Sequence, residues 1–412
     1  MANPLPHVAT DSLVYRDGEL TVGDHSITDC VTAAGRTPFY IYDSARIRAR
    51  VEHLRATLPA EISLHYAMKA NPMPEVVRFT AELVDGLDVA SARELKTALT
   101  SCHGGGDISF AGPGKTDAEL LEAVDAGITV NVESEGELAR LIAIGQDRGR
   151  TPDVAIRVNP DFELKTSGMK MGGGPKQFGI DAERVPEVLR GLAGAPARFR
   201  GFHIYSGSQN LRPEAIIEAQ DKTLELAVRL SRDAPSAVNL LNIGGGFGIP
   251  YFPGEQELDL APVGANLAAR LPEARAALPQ AEFVIELGRY IAGPCGYYVC
   301  EVIDRKISRD HVFLITNGGL HHHLAASGNF GQVIRKNYPV VAARAAAGMD
   351  GETETASVVG PLCTPLDLLG DRVALPRCEP GDLIAVLQSG AYGLTASPLG
   401  FLSHPEPGEI FV

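Results

Sequence analysis

The spacing of apolar residues divides the chain into a regular series. Eight short strand-like segments, Ser63 to Ala70, Gly86 to Ser91, Ile108 to Gly112, Ile128 to Val132, Val154 to Asn159, Phe199 to Gly207, Val238 to Gly246 and Ala281 to Arg289, each run into a polar or glycine-rich end. Between them, segments such as Ala92 to Thr100, Asp117 to Ala126, Glu135 to Ile144 and Pro213 to Arg232 space apolar residues near three and four, which predicts amphipathic helices. Eight such units within about 250 residues predict an α/β fold, a (β/α)8 TIM-type barrel. Chemistry in that fold sits at the C-terminal strand ends. Here those ends carry Lys69, Ser91, Glu133, Asn159, Tyr205 with Ser208, Gly244 to Gly246, and Glu286 with Arg289.

From Gly296 onward, glycine and proline break short apolar alternations, and helical periods recur only near Val333 to Ala347. This texture predicts a β-rich second domain, a barrel or sandwich. The opening segment has similar strand character at Leu13 to Tyr15 and Glu19 to Val22, so it is expected to pair into that domain. The expected division is a barrel over 39–290 and a β-rich domain built from 1–38 and 291–412.

A length of 412 residues suits two domains. The formal net charge of −14 argues against nucleic acid and anionic membrane surfaces as partners. No apolar run is long enough to span a bilayer, and Met1 to Thr10 lacks the regions of a signal peptide, so a soluble cytoplasmic protein is expected. Six cysteines without metal-ligand or disulfide-framework spacing suit a reducing compartment.

His65 to Asn71 is the stretch around which the chemistry gathers. An apolar run there ends in Lys69, and ammonium groups are rarely placed at such a position without a partner or a task. A solvated loop lysine is the ordinary alternative. Gly244-Gly245-Gly246 follows a strand and allows backbone amides to approach an anion, although a tight turn before a helix explains it equally well. Ser208 offers a hydroxyl and Arg289 a charged fork for the same phosphate. Glu286 could face a cationic ring nitrogen, or pair structurally with Arg289. A lysine, a phosphate site and a carboxylate around one barrel mouth are the parts a pyridoxal 5'-phosphate enzyme needs: a Schiff-base amine, an anchor, and a group that keeps the pyridine nitrogen protonated.

With those residues in place, the chain resembles the fold-type III pyridoxal phosphate decarboxylases, the group of diaminopimelate and ornithine decarboxylases, over nearly its whole length. Tyr66-Ala67-Met68-Lys69-Ala70-Asn71 resembles the family's lysine motif, and Gly86-Leu87-Asp88-Val89-Ala90-Ser91-Ala92-Arg93-Glu94 the motif whose aspartate, Asp88 here, faces the cofactor. Gly244, Gly245 and Gly246 resemble the phosphate glycines. Glu286-Leu287-Gly288-Arg289 resembles E-P-G-R with leucine for proline, which assigns Glu286, Gly288 and Arg289 to the cofactor. Gly390-Ala391-Tyr392 resembles the motif whose tyrosine reaches the phosphate. Gly360-Pro361-Leu362-Cys363 resembles the one whose cysteine protonates the substrate carbon after carbon dioxide leaves. That last likeness implies a homodimer with shared active sites.

The departures bear on substrate. The acidic residue that follows the family's cysteine and binds a distal ammonium is Thr364 here, which makes a distal amine a poor fit. The arginine and tyrosine that grip a distal carboxylate in diaminopimelate decarboxylases are missing from Asn317 to Phe330, where His321, His322 and His323 stand in a row. Adjacent residues diverge, so no metal site is expected, and the three are read as a substrate-pocket loop. The family's histidine three residues before the phosphate serine is Tyr205, whose ring can still stack on the cofactor, and His203 shares its face by strand parity.

These features resemble a subgroup acting on modified or carrier-bound amino acids, such as the glutamyl carrier-protein decarboxylase of butirosin biosynthesis and relatives in exopolysaccharide and siderophore clusters. The expected reaction is α-decarboxylation of an amino acid with an acylated or tethered side chain, with an acyl carrier protein as a candidate partner docking on a basic patch that includes Arg335 and Lys336. Alternatives are a citryl-type siderophore-intermediate decarboxylase, a diaminopimelate- or ornithine-type decarboxylase, a racemase of the same fold, and a silent regulatory homologue.

Overall fold

A computed structural model of the protein describes residues 7–164, 169–170, 172–332, 334–345, 348 and 352–412. The chain forms two compact units, one of residues 50–248 and 258–290, the other of residues up to 49, 249–257 and 291–412.

The first unit is a closed eight-stranded parallel barrel. Its strands are β1 (Ile62–Ala67), β2 (Gly86–Val89), β3 (Ile108–Phe110), β4 (Thr129–Val132), β5 (Asp153–Asn159), β6 (Arg198–Ile204), β7 (Leu240–Gly245) and β8 (Glu282–Leu287). Each pairs with the next, and β8 pairs back onto β1, which closes the ring. All eight strands of the sequence reading are present. Most of their residues are buried on both faces, as a sheet wrapped by helices requires.

The loops at the strand ends are fixed by helix caps. Ser91 Oγ accepts from Glu94 N, and Glu94 Oε2 accepts from Ala90 N at 2.7 Å, so the Ser-x-x-Glu of the aspartate motif starts the helix Ala92–Ala98. Thr116 and Glu119 cap Asp117–Ala126 reciprocally. Glu133 accepts from Gly112 N, Gly179 N and Arg157 Nη1 at 2.7 to 2.8 Å. Glu133 therefore ties separate segments of the barrel rim together, while Ser91 fixes the start of its own helix.

The second unit is built on an eleven-stranded, largely antiparallel sheet. Glu19–Val22 pairs with Val340–Arg344 through Glu19 and Arg344, so the N-terminal segment joins the C-terminal strands. Leu20, Val22, Ile27, Phe39, Ile41, Tyr297, Val299, Leu383 and Ala385 form its core. Two expectations are corrected. Phe39–Tyr42 does not open the barrel; it lies between Gly296–Ser308 and Gly408–Phe411 in this sheet. The helix expected near Val333 to Ala347 is a strand at Val340–Arg344, hydrogen-bonded to Leu383–Val386, while Val333 and Ala347 fall outside the described residues. Its apolar residues suit either period, and pairing across the sheet decides. No described helix is long and apolar enough to cross a membrane.

Candidate active site

Strand order places the reactive lysine between two acids. β1 lies between β8 and β2, with Glu286 opposite His65 and Asp88 opposite Ala67. After β1 the chain makes one tight turn, Met68–Ala70, which turns Lys69 out of the wall with 39% of its side chain exposed. Lys69 Nζ donates to Glu286 Oε1 at 2.9 Å and to Asp88 Oδ2 at 3.3 Å. Gly288 makes room for this turn, since a Cβ there would stand 2.7 Å from Ala67 O and 2.9 Å from Ala70 Cβ. Its place is in packing beneath the lysine.

The two buried carboxylates have different environments. Asp88 is pushed up to about 8, first by burial and then by the neighbouring Glu286 charge, with Lys69 opposing. Burial pushes Glu286 up as well, but the Lys69 ammonium and His203 more than offset it and hold Glu286 well below the carboxylate range. Glu286 is therefore the ionised member near neutral pH and Asp88 the protonated one. Ser109 Oγ donates to Asp88 Oδ1 at 2.8 Å. Glu286 Oε2 lies 3.2 Å from His203 Nε2 and accepts from Asn242 Nδ2 at 3.3 Å. Burial lowers the His203 imidazole, against the pull of Glu286.

β7 ends in the glycine turn. Gly244 and Gly246 both have φ +74°, a conformation that side chains disfavour. A Cβ on Gly244 would stand 2.9 Å from Ile204 O and 3.1 Å from the Tyr205 ring, and one on Gly246 would collide with the Gly207 carbonyl. Asn242 Oδ1 accepts from Gly244 N at 2.8 Å, so this one amide links the glycine turn to Glu286. Ser208 sits in the two-residue strand Gly207–Ser208, paired with Met169–Lys170, and Arg289 follows β8. The Tyr205 ring centroid is 6.5 Å from that of His203.

Cys363, Thr364, Tyr392 and the three histidines belong to the β-rich unit. Cys363 is exposed, and Tyr392 has the left-handed φ of +54° in Gly390-Ala391-Tyr392-Gly393. The histidines do not form a substrate-facing loop. All three are buried. His322 is used by Tyr298 OH at 3.1 Å and Pro405 O at 2.9 Å. His323 Nδ1 accepts from Ala326 N at 3.2 Å, which leaves Nε2 to donate to Ser389 Oγ at 2.9 Å. The His321 ring lies 3.7 Å from that of His322 and 5.0 Å from that of His404, and its nitrogens have no hydrogen-bond partner among the described residues. Among the described residues no three His, Cys, Asp or Glu could hold a metal ion. Arg335 is turned inward as well: it donates to Ser327 O at 3.1 Å and to Leu368 O and Asn337 Oδ1 at 2.8 Å, so it does not form a basic docking patch.

Motif and spacing do not single out Asn242, Ser109 or Asp367. Asn242 and Ser109 are lone polar residues inside apolar strands, Leu240-Leu241-Asn242-Ile243 and Ile108-Ser109-Phe110, and that is the signal that could have found them.

The barrel mouth fits pyridoxal 5'-phosphate: an accessible lysine suited to the aldehyde, an ionised buried carboxylate suited to the pyridine nitrogen, and a glycine turn with no room for a Cβ at Gly244 or Gly246. Fold and site together define a pyridoxal phosphate enzyme of the barrel type.

Residues 44–293 match the pyridoxal binding domain of the pyridoxal-dependent decarboxylases. The chain is 39% identical to an L-glutamyl-acyl-carrier-protein decarboxylase of Niallia circulans, covering 94% of this chain and 91% of that one. It is 31% identical to a Staphylococcus aureus decarboxylase of an L-alanin-3-ylcarbamoylmethyl-substituted 2-hydroxybutanedioate, covering 90% and 93%. The crystal structure of Helicobacter pylori diaminopimelate decarboxylase complexed with L-lysine superposes with a TM-score of 0.80 at 27% identity, covering 93% and 94%. The chain belongs to the pyridoxal-dependent decarboxylases, carbon-carbon lyases that use pyridoxal 5'-phosphate.

Proposed function

We propose that the protein removes the α-carboxylate of an amino acid whose side chain is acylated or carried on an acyl carrier protein. The observation that carries this reading is that, among the described residues, the two positions expected to grip a distal charge offer none. Thr364 follows Cys363, and Arg335, the first arginine after Asn317, is spent on main-chain and amide oxygens. A free diamino acid would bring a charged end with no partner to meet it. The names of the two similar decarboxylases, one acting on a carrier-bound glutamyl group and one on an amide-linked alanine, support the same reading. The second favours a citryl-type conjugate as the next alternative.

In this reading Lys69 Nζ holds the cofactor, Glu286 faces its ring nitrogen, Asp88 and His203 flank that end, Tyr205 lies along the ring, and Gly244 to Gly246, Ser208, Arg289 and Tyr392 take the phosphate. The cofactor, when bound, supplies the electron sink for the pair released as carbon dioxide departs. Glu286 keeps the ring nitrogen protonated. Cys363 Sγ gives its proton to the α-carbon, the S–H bond breaking as the C–H bond forms, and the thiolate regains a proton from solvent.

The protein works as a homodimer in which Cys363 serves the partner's site. Cys363 is exposed on a loop with exposed Leu366, and the neighbouring Phe330 and Ile334 are exposed too, an apolar face that a second copy would cover. Asn329 Nδ2 joins the two loops at Leu366 O.

Carbon dioxide release by the holoenzyme tests the substrate reading. Glutamate on a carrier protein and citryl-linked amino acids are offered beside free glutamate, lysine, ornithine and diaminopimelate. Turnover confined to tethered or acylated substrates is expected, and efficient turnover of a free diamino acid overturns it. Mixing Lys69→Ala with Cys363→Ala protein tests the shared site, since only subunits that exchange can restore one intact site.

A further inference from the structure

We propose that Asp367 is a positioning residue for Cys363, its buried carboxylate tying the thiol's loop to the turn at Gly319 and Leu320. The inference rests on the reading of Cys363 as proton donor. Asp367 Oδ1 accepts from Leu320 N at 2.6 Å, and Oδ2 accepts from Leu362 N at 2.8 Å, the residue next to the cysteine. The main chain of Asp367 closes the same loop, its N donating to Thr364 O at 3.2 Å and its O accepting from Gly360 N at 3.1 Å. Residues 360–367 are thus wound around one carboxylate.

Cys363 sits at the apex of the smallest turn in that loop. Thr364 N donates to Leu362 O at 2.8 Å across it, a three-residue turn that points its middle residue outward. Within its own subunit the thiol is exposed, so the base of the turn must fix its position, and that base is the Leu362 amide on Asp367.

Two glycines serve the same carboxylate. A Cβ on Gly319 or on Gly360 would collide with it. One glycine lies in the histidine segment and the other in Gly360-Pro361-Leu362-Cys363, so a single contact accounts for a small residue in both. Asp367 is 3% exposed, and charge-assisted bonds to two amides are the compensation that a carboxylate buried there needs. Decarboxylation leaves a carbon that must be protonated from one direction, and a donor displaced by about 1 Å can cost on the order of 100-fold.

Asp367→Asn in the holoenzyme tests the role. The amide keeps one acceptor but turns an NH2 toward the second backbone N–H. Loss of one charge-assisted bond is expected to raise the open-loop population about tenfold. In the homodimer proposed above the partner's site shields the Cys363 thiol, so its iodoacetamide labelling, read by peptide mass against the exposed Cys102, reports loop opening and should rise by that factor, and kcat should fall with KM little changed. In a Cys363→Ala background the same substitution should cost no further kcat, whereas a general structural defect would slow both backgrounds alike. Gly360→Ala crowds the carboxylate from the other side and should reproduce the labelling change if Asp367→Asn does not fold. An unchanged labelling ratio in either variant, or additive rate losses, overturns the clamp. A Cys363→Ala enzyme with wild-type kcat instead removes the proton-donor reading, and the labelling ratio still reports whether the clamp exists.

Discussion

Lys69 Nζ and Glu286 Oε1 are 2.9 Å apart although 217 residues separate them in the chain. The pairing of β8 with β1 creates the contact, setting Glu286 beside His65 and within reach of the turn that follows Ala67. The lysine charge thereby helps hold ionised the carboxylate proposed to face the ring nitrogen.

Glu286→Gln removes the charge while keeping the shape. We expect kcat to fall about 100-fold or more, as when one preorganised electrostatic group is lost. Absorbance titration should show the cofactor still bound through Lys69, whereas Lys69→Arg should abolish that absorbance. Near wild-type turnover by the glutamine enzyme would contradict the assignment.

Asp88 gives a pH signature. Its folded value of about 8 lies above its ordinary 3.8, so the native state binds this proton more tightly than the unfolded chain. Its contribution to stability is present below about 4 and is lost as pH rises through about 8. In protein stripped of cofactor, the melting temperature of Asp88→Asn relative to wild type should climb across that window. A difference independent of pH argues against the protonated state.

The buried histidines act with the opposite sign. Burial holds His323 at about 3 and His321 at about 3, below their ordinary 6.5, so their contribution is present above 6.5 and lost as pH falls toward 3. Protonated His323 would set an N–H against the Ala326 N–H. Urea unfolding at about pH 7.5 and again at about pH 5, inside that window, should show a smaller loss for His323→Gln than for wild type. Equal losses would tell against this account.

Lys115 is expected to be a stability residue. It is buried and donates to Gly112 O at 2.7 Å, Asn131 O at 2.8 Å and Glu137 Oε1 at 2.9 Å. Lys115→Met leaves a buried carboxylate and two carbonyls short of a donor and should cost about 3–5 kcal/mol in urea unfolding. A loss within experimental error would mean that the network reorganises.

The sequence by itself determined the barrel, because eight buried parallel strands require eight apolar runs separated by helical periods, and both are local properties of the chain. It also singled out the motifs of Lys69, Gly244 to Gly246 and Cys363 as candidates, because the residues of each motif are contiguous. Tertiary structure alone decided which sheet takes Phe39–Tyr42, since an apolar strand reads the same in either. It decided the histidine row, which reads as a polar loop but is buried against Tyr298, Ser389 and Pro405. It also revealed Ser109, Asn242 and Asp367, each tied to one distant partner, 21, 44 and 47 residues away respectively. A polar side chain takes its meaning from what it bonds, and over such separations the fold alone chooses the partner.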